Sequence, residues 1–254
     1  MGVVRPFDLS SSLSPGLFLA MDTAGEEGSL AIAQRAESAP ELETLARAKL
    51  EVEEEHASLL VPKIQDLLKE SGAGTGDLVG LVVGAGPGSF TGVRVGAATA
   101  KGMAWALGLP LWAFSSLAGA AADLEEDPLR SRVVLFDARG DRVYAAAYRM
   151  RKDSFETLVP PRATTIGEVL DGMIPPGSLM MGDGALRHRG LLEGAGNSVL
   201  PTPAGQPSAG GLLRLLSLDP STAPLKDPGR WEPEYLRESG AERMWKTKLG
   251  SKKR

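Results

Sequence analysis

The residues best suited to chemistry in this 254-residue chain form a glycine-rich run, G-A-G-P-G-S-F-T-G-V-R-V-G, at positions 84–96. The run follows an apolar stretch at 78–83 and passes directly into a helical pattern. A glycine loop between a strand and a helix exposes backbone N–H groups at the positive end of the helix dipole, an arrangement that binds phosphate. The run therefore indicates a nucleotide site. A structural alternative stays open, because glycines also permit tight turns and close helix packing.

The spacing within this run does not fit three well-known motifs. Gly92 is followed by Val93 rather than by lysine, so the run is not a P-loop, and it lacks the G-x-G-x-x-G register of dinucleotide-binding folds. Ser89 is flanked by Pro87 and Thr91, where the G-x-S-x-G elbow of hydrolases has glycines. What remains is a glycine-rich turn between a strand and a helix.

Two aspartates occupy matching turns. Asp22 and Asp137 each lie between two predicted strands, at 17–21 and 29–35 and at 133–136 and 143–150. Each aspartate begins the same short pattern of small residue, variable residue, glycine and acid, which indicates a duplicated fold unit. The two carboxylates could hold a magnesium nucleotide between two lobes. The alternative is turn chemistry, because aspartate in such a turn readily accepts a hydrogen bond from its own backbone.

Histidine and cysteine are scarce. The chain has two histidines, His56 and His188, and no cysteine, which excludes disulfides, thiolate catalysis, iron–sulfur clusters and cysteine-bound zinc. A Ser-His-Asp relay would have to use one of these two histidines, and neither lies near a recognisable nucleophile motif.

The elements that must position these residues predict an α/β protein of two lobes. Hairpins followed by alternating helices and strands are typical of mixed sheets with helices packed on them. Beyond the hairpins, we predict strands at 44–52, 78–83, 111–114 and 178–181, and helices at 55–71, 93–107, from 116, and at 166–173, 186–192 and 209–216.

The helix predicted at 55–71 carries an apolar stripe at helical spacing, formed by Leu60, Ile64, Leu67 and Leu68. Pro62 lies inside that pattern and should loosen the first turns of the helix. We favour a stripe that faces the core. Leu59 and Val61 add a second apolar face and keep a partner-facing alternative open.

Charge is unevenly distributed along the chain. The formal net charge is −4, but residues 243–254 carry six basic residues and no acid, so that the first 242 residues carry −10. An acidic body is a poor surface for nucleic acid, and we expect the basic tail to be a solvated terminus, with contact to RNA as the weaker alternative. The chain start lacks signal-peptide features and no apolar run approaches the ~20 residues that span a bilayer, so we expect a cytoplasmic protein.

Six segments carry a resemblance to a known family. They read L-A-M-D-T-A at 19–24, H-A-S-L-L-V-P-K-I at 56–64, the glycine run at 84–96, K-G-M-A at 101–104, D-A-R at 137–139 and P-E-Y-L-R at 233–237. On these residues the chain resembles the TsaB family, formerly YeaZ, of tRNA threonylcarbamoyladenosine biosynthesis proteins. The glycine run is the most specific of the six.

The resemblance implies a duplicated actin-like fold of the RNase H-like, or ASKHA, kind. We expect a flexible tail at 1–16, lobes at 17–122 and 123–221, a segment at 222–242 that returns to the first lobe, and a basic tail at 243–254. TsaD-like relatives bind a metal through two histidines four residues apart on the helix after the corresponding strand. Ser116 and Ala120 stand at those positions here, so the resemblance implies no such metal site in this chain.

The resemblance also implies a non-catalytic subunit that forms a heterodimer with the TsaD transferase, helps to recruit the TsaE ATPase and contacts tRNA only indirectly. It implies a homodimer when TsaD is missing. No cofactor is assigned to this chain, and ATP or ADP at an interface of the complex stays open. The alternative is an independent ATPase or a metallopeptidase-like enzyme of the same superfamily. The expected partner interface comprises His56, Leu59, Leu60, Ile64, Leu67, Arg94, Val95, Ala98, Lys101, Gly102 and Trp105.

Overall fold

The first half of the chain forms a five-stranded mixed sheet with helices around it. The computed structural model describes residues 13–38, 41–50, 56–124, 130–151, 154–172, 174–175 and 177–236. In chain order, the first elements are β1 (Gly16–Asp22), β2 (Gly28–Arg35), β3 (Leu42–Leu50), α1 (His56–Glu70), β4 (Leu78–Gly84), α2 (Phe90–Leu107), β5 (Leu111–Phe114) and α3 (Ser116–Ala122). The strand order is β3-β2-β1-β4-β5. β1, β2 and β3 are antiparallel, and β4 and β5 run parallel to β1.

The second half repeats this arrangement. Its elements are β6 (Ser131–Asp137), β7 (Arg142–Arg151), β8 (Ser154–Thr165), α4 (Ile166–Leu170), β9 (Leu179–Met181), α5 (Asp183–Arg187), α6 (Arg189–Gly194), β10 (Ser198–Val199) and α7 (Ala209–Leu218). The order β8-β7-β6-β9-β10 reproduces that of the first sheet strand for strand, with the same parallel and antiparallel neighbours. The predicted duplicated α/β fold is therefore confirmed.

Strict alternation along the strands places a helical layer on each face of each sheet. In β1, Leu19 and Met21 face α1 and α2, whereas Phe18 and Ala20 face α7. The second sheet alternates in the same way between α3 on one face and the short helices α4, α5 and α6 on the other. The molecule is thus built in five layers, with α3 and α7 between the two sheets. Because successive strand residues point to opposite faces, the apolar pattern of each strand fixes this layering.

The middle layer depends on a close helix crossing. α3 and α7 follow β5 and β10, and so occupy equivalent places in the two copies. They touch at Gly119 and Gly211, where a Cβ on Gly211 would lie closer than 3.0 Å to the Gly119 carbonyl oxygen. α7 belongs to the predicted second lobe by position, but its Leu212 and Leu216 pack against the first sheet. The crossing therefore joins the lobes.

The chain after α7 runs along the first lobe. The Trp112 indole donates to the Thr222 carbonyl at 2.8 Å, the Leu225 amide donates to Leu111 at 2.8 Å, and the Lys101 ammonium donates to the Trp231 carbonyl at 2.7 Å. At the other end, Leu13 lies within the predicted tail but is buried in the core. No helix in the described part of the chain is both long and apolar enough to cross a membrane.

Four element predictions differ from the structure, and one of these differences is β10, a two-residue strand that was not predicted. The twelve-residue strand β8, which contains Pro160 and Pro161, was not predicted. β8 is an edge strand with an irregular register against β7, and proline is tolerated at such positions because one side of the strand has no ladder to complete. The helix predicted at 186–192 is wrong as a single unit, because α5 ends before His188 and α6 begins after it. The helix predicted at 166–173 ends at Leu170, because Asp171 and Gly172 form a turn, and Met173 lies outside the described residues.

Candidate functional site: the cleft between the lobes

The glycine run packs against the turn between β1 and β2. Gly88, Gly92 and Gly96 recur every four residues, and a Cβ on any of them would lie closer than 3.0 Å to an atom of Thr23 or Ala24. Gly92 and Gly96 lie on one face of α2, because residues four apart in a helix share a face. The spacing of the glycines is therefore explained by a close approach between the helix and the turn.

Three backbone amides of the glycine run are hydrogen-bonded within the chain. The Ser89 amide donates to the Ala24 carbonyl at 2.7 Å. The Gly86 amide donates to Ser116 Oγ at 3.3 Å, and the Gly92 amide donates to Ser89 Oγ at 3.2 Å. A phosphate site at a helix start relies on free N–H groups that point at the anion. These three amides are therefore not free to bind a phosphate, and the close contact of the glycines with Thr23 and Ala24 supports the structural alternative.

Asp22 lies buried at the end of β1, next to this loop. Its Oδ1 accepts a hydrogen bond from the Ala24 amide at 3.1 Å and another from Ser116 Oγ at 2.9 Å. Oδ2 has no hydrogen-bond partner within the described residues. Burial raises the pKa of Asp22 to about 6, against the opposing effect of the two hydrogen bonds. Gly84 leaves space for the Asp22 carboxylate, because a Cβ at position 84 would clash with it.

Asp137 takes the equivalent place in the second lobe. Its Oδ1 accepts from the Arg139 amide at 3.0 Å, and its Oδ2 accepts from the Arg187 guanidinium at 2.9 Å. Asp22 and Asp137 thus each bond the backbone two residues further on, which is the turn chemistry named as the alternative to a magnesium site. Within the part of the chain that the structure describes, no hydrogen bond joins the two carboxylates, and each is held within its own lobe.

A cavity of about 550 Å³ separates the two lobes at these turns. It is lined by Ala24, Gly25, Glu26, Pro87, Gly88, Ser89, Phe90, Thr91, Val93, Phe136, Asp137, Ala138, Arg139, Tyr144, Asp183, Pro207, Glu234, Tyr235 and Leu236. Its walls therefore come from both hairpin turns, from the glycine run and from the end of the described chain. Four carboxylates and one guanidinium are among these residues, so the lining is acidic.

Asp183 is the cleft residue that sequence reasoning missed. It begins α5, and its Oδ1 accepts from the Asp137 amide at 3.1 Å and from the Gly184 amide at 2.9 Å. Burial raises the pKa of Asp183, and the nearby carboxylates of Asp137 and Glu26 raise it further. The signal available in the sequence was an aspartate between two glycines directly after a predicted strand, which is the second lobe's counterpart of the glycine run.

Ser116 and Ala120, where the resemblance led us to look for a pair of metal-binding histidines, offer no such pair. Ser116 and Ala120 are both buried in α3, and the Ser116 hydroxyl is bonded to Asp22. Within the described ranges, no group of three or more histidine, cysteine, aspartate or glutamate side chains could hold a metal ion. His188 is partly buried at the junction of α5 and α6, and the side chain of His56 lies outside the described residues.

Three of the residues assigned to the partner interface belong to the core, which corrects that prediction. Leu60, Ile64 and Leu67 are at most 2% exposed and pack between α1 and the first sheet. A partner cannot contact them while α1 stays on its sheet. The reason is geometric: this stripe is the face of α1 that covers Leu19 and Met21. The core-facing reading of the stripe is therefore the correct one.

Five of the other assigned residues, together with Val61, define what we call the helix-pair surface. It consists of the exposed side of α1 and α2, which pack beside one another on the first sheet, and comprises Leu59, Val61, Arg94, Ala98, Gly102 and Trp105. Trp105 is 88% exposed and Leu59 is 47% exposed. Val95 is half-buried against the core, and Lys101 is held by the Trp231 carbonyl, so these two lie at its margin.

Comparison with known proteins gives consistent matches. A family model described as TsaD, tRNA N6-adenosine threonylcarbamoyltransferase, matches residues 50–190. The tRNA threonylcarbamoyladenosine biosynthesis protein TsaB of Bacillus subtilis (strain 168) is 30% identical over 195 residues, which cover 75% of this chain and 83% of that protein.

Two solved structures from Pseudomonas aeruginosa are also similar. A protein described as uncharacterized with similarity to peptidase YeaZ is 25% identical with a TM-score of 0.72, over 87% of this chain and all of that one. The structure of YeaZ is 26% identical with a TM-score of 0.63, over 79% and 90% of the two chains.

Two sheets of identical strand order, which enclose a cleft at their hairpin turns, define a duplicated actin-like α/β protein. The glycine run, the two aspartate turns and the relatives above narrow this class to one family. The chain belongs to the TsaB (YeaZ) family.

Proposed function

We propose that this chain is a non-catalytic subunit of tRNA threonylcarbamoyladenosine biosynthesis in the cytoplasm. In this role it pairs with a TsaD-like transferase through the helix-pair surface and helps to recruit a TsaE-like ATPase. The observation that carries the proposal is Trp105, a large apolar side chain that is 88% exposed on α2. Aromatic side chains of this kind dominate protein interfaces, whereas a soluble surface gains nothing from exposing one.

The surroundings of Trp105 support helix-to-helix docking. Ala98 and Gly102 precede it at helical spacing on the exposed side of α2, and no atom lies within 4 Å of the place where a Cβ on Gly102 would stand. Small residues let a second helix approach closely, while the indole fills a pocket on the partner. Leu59 and Val61 extend the apolar area onto α1.

The state of the cleft supports an accessory role. The amides of Gly86, Ser89 and Gly92 are bonded within the chain, and Asp22 is buried with its Oδ1 already accepting two hydrogen bonds. The acidic body also disfavours direct contact with tRNA. In this proposal the transferase partner supplies the chemistry.

Truncation of the exposed indole tests the interface. We expect Trp105→Ala to weaken binding to the TsaD-like partner by about 30-fold or more, since hot-spot residues contribute at least ~2 kcal/mol. Leu191→Ala is the matched control, because Leu191 is 57% exposed on the second lobe. The measurement is titration calorimetry of the purified pair. Equal affinities for wild type and Trp105→Ala would remove this surface from the interface.

A pair of neighbouring leucines separates binding from stability. Leu60→Ala should lower the free energy of unfolding by about 2–5 kcal/mol, because Leu60 is fully buried. Leu59→Ala should leave stability nearly unchanged and weaken partner binding. Urea unfolding and calorimetry on both variants check this division. If Leu60→Ala were stable and Leu59→Ala unfolded, the orientation of α1 would be wrong.

Reconstitution decides the role itself. We expect modification of adenosine 37 in tRNA by the other purified components to be slow until this chain is added, and the chain alone to turn over no ATP. A full rate in its absence would refute the accessory role. ATP hydrolysis by the isolated chain would favour the alternative of an independent enzyme.

A further inference from the structure

We propose that the cleft between the lobes binds a cationic peptide segment, and that its resident occupant is the basic tail of this same chain, residues 243–254. The cleft and the helix-pair surface meet at Phe90, over whose ring Arg94 lies at 4.9 Å, but the inference does not depend on the proposed partner.

The residues that line the cleft carry more negative than positive charge. Glu26 comes from the first lobe, Asp137 and Asp183 come from the second, and Glu234 comes from the segment after α7. Arg139 is the one cation among the lining residues. Of the four carboxylates, Asp137 alone forms an ion pair within the described residues, with Arg187 at 2.9 Å.

The carboxylates also act on one another across the gap. The charges of Asp137 and Glu26 both raise the pKa of Asp183, so that acids from the two lobes lie close enough to repel. A cation placed between them would relieve this repulsion from both sides. An anionic ligand would add to it, and the amides of Gly86, Ser89 and Gly92 are already bonded within the chain.

The cavity has the size and the surfaces for a peptide side chain with a positive charge. Its volume of about 550 Å³ falls within the ~300–1,000 Å³ of ordinary ligand sites. Phe136, Tyr144 and Tyr235 line it, and Tyr235 contacts Phe90 with ring centroids 5.2 Å apart. Lysine and arginine side chains bind favourably over aromatic faces, especially beside carboxylates.

The segment after α7 ends at the cleft, and the tail begins a few residues further along the chain. The Glu234 amide donates to the Ala85 carbonyl at 3.0 Å, and Leu236, the last residue that the structure describes, lies in the cleft wall. Six residues separate it from Arg243, so the start of the tail stays within about 25 Å of the cleft. The tail has six basic residues and no acid. So short a connection gives it an effective concentration in the millimolar range, which no free basic peptide would match.

The test uses the full-length chain, whose lack of cysteine allows a single label. A nitroxide is attached to the variant Lys248→Cys, and paramagnetic loss of amide signals is recorded. We expect selective loss at Gly25, Asp137 and Gly184 in the cleft, with the amide of Gly102 and the indole of Trp105 unaffected. Raising the salt to about 1 M, where the Debye length is ~3 Å, should restore the cleft signals.

Charge variants locate the site without disturbing the fold. Glu26→Gln with Glu234→Gln should restore the cleft signals at low salt, and both side chains are exposed. Glu43→Gln with Glu70→Gln is the matched control, since it removes the same charge from exposed positions that do not line the cleft. This control should leave the signal loss unchanged.

Three results would overturn the proposal. The first is signal loss centred on another surface or absent altogether. The second is loss that appears equally when isotope-labelled chains are mixed with separate nitroxide-labelled chains, which would make the contact intermolecular. The third is a tail that leaves the cleft signals intact and responds to added tRNA alone, which would make the tail an RNA-binding element.

Discussion

The substitution Gly92→Ala tests whether the glycines of the run serve close packing against the turn between β1 and β2. Gly92 lies in the first turn of α2, and its missing side chain faces the turn between β1 and β2. A Cβ there would lie closer than 3.0 Å to the Thr23 carbonyl oxygen, 3.2 Å from the Thr23 carbonyl carbon and 3.3 Å from Ser89 Cβ. Backbone atoms cannot rotate away, so Gly92→Ala must push the helix off the turn.

The expected cost follows from three effects. Alanine favours the helix by about 1 kcal/mol over glycine. Overpacking against rigid atoms costs about 1–3 kcal/mol, and the upper end applies because the neighbour is backbone. The shift also strains the buried hydrogen bond from Thr23 Oγ1 to the Gly92 carbonyl, now 2.7 Å long, which is worth about 1 kcal/mol. We expect the free energy of unfolding to fall by about 2–3 kcal/mol.

Urea unfolding followed by circular dichroism measures this change, with Gly102→Ala as the matched control on the same helix. No atom lies within 4 Å of a Cβ at Gly102, so this substitution should stabilise the isolated chain by about 1 kcal/mol. The two variants therefore move in opposite directions at unchanged m-value. A Gly92→Ala protein as stable as the wild type would refute the idea that the glycines serve close packing.

Two further predictions follow from the middle layer and from the buried carboxylate. Gly211→Ala should destabilise the fold by about 1–3 kcal/mol, because its Cβ would meet the Gly119 carbonyl, whereas Gly194→Ala meets nothing within 4 Å and should not; thermal unfolding compares them. The pKa of Asp22 is about 6 in the folded chain, against an ordinary value of 3.8. The free energy of unfolding should therefore fall by about 3 kcal/mol as the pH rises from 3.8 to about 6, because the folded chain binds this proton more tightly than the unfolded chain does. Asp22→Asn should lack this slope in urea titrations between pH 4 and 7, and parallel profiles would contradict the assignment.

Most regular elements could be predicted from the sequence because their patterns are local. The strand predicted at 111–114 matches β5, and the hairpin strands match β1, β2, β6 and β7 to within two residues. β8 was not predicted, because its segment contains two prolines and because its place at the sheet edge depends on pairing with β7, a separate segment of the chain. The junction at His188 escaped because a helix break without glycine or proline leaves no local signal.

The candidate site was harder to predict, since its residues come from distant parts of the chain. Asp22 and Asp137 were found because each follows a strand and repeats a pattern. Asp183 and Glu234 were not, because nothing in their own segments shows that both face the first lobe's turn. Leu60 was assigned to an interface although its stripe also fitted a core, and spacing cannot tell which of two apolar faces a sheet will cover.

The sequence by itself determined the family, the duplication and the position of nearly every strand, because these depend on short-range patterns and on one distinctive glycine run. Only the tertiary structure decided what the glycines do. A glycine-rich turn between a strand and a helix can bind a phosphate or allow a close helix contact. The choice rests on Thr23 and Ala24, about 65 to 70 residues earlier in the chain, which occupy the space beside the glycines, and Ala24 also accepts a hydrogen bond from the Ser89 amide. The tertiary structure also decided which side chains are buried: Leu60 lies in the core and Trp105 on the surface. It brings four carboxylates from distant parts of the chain together around one cleft.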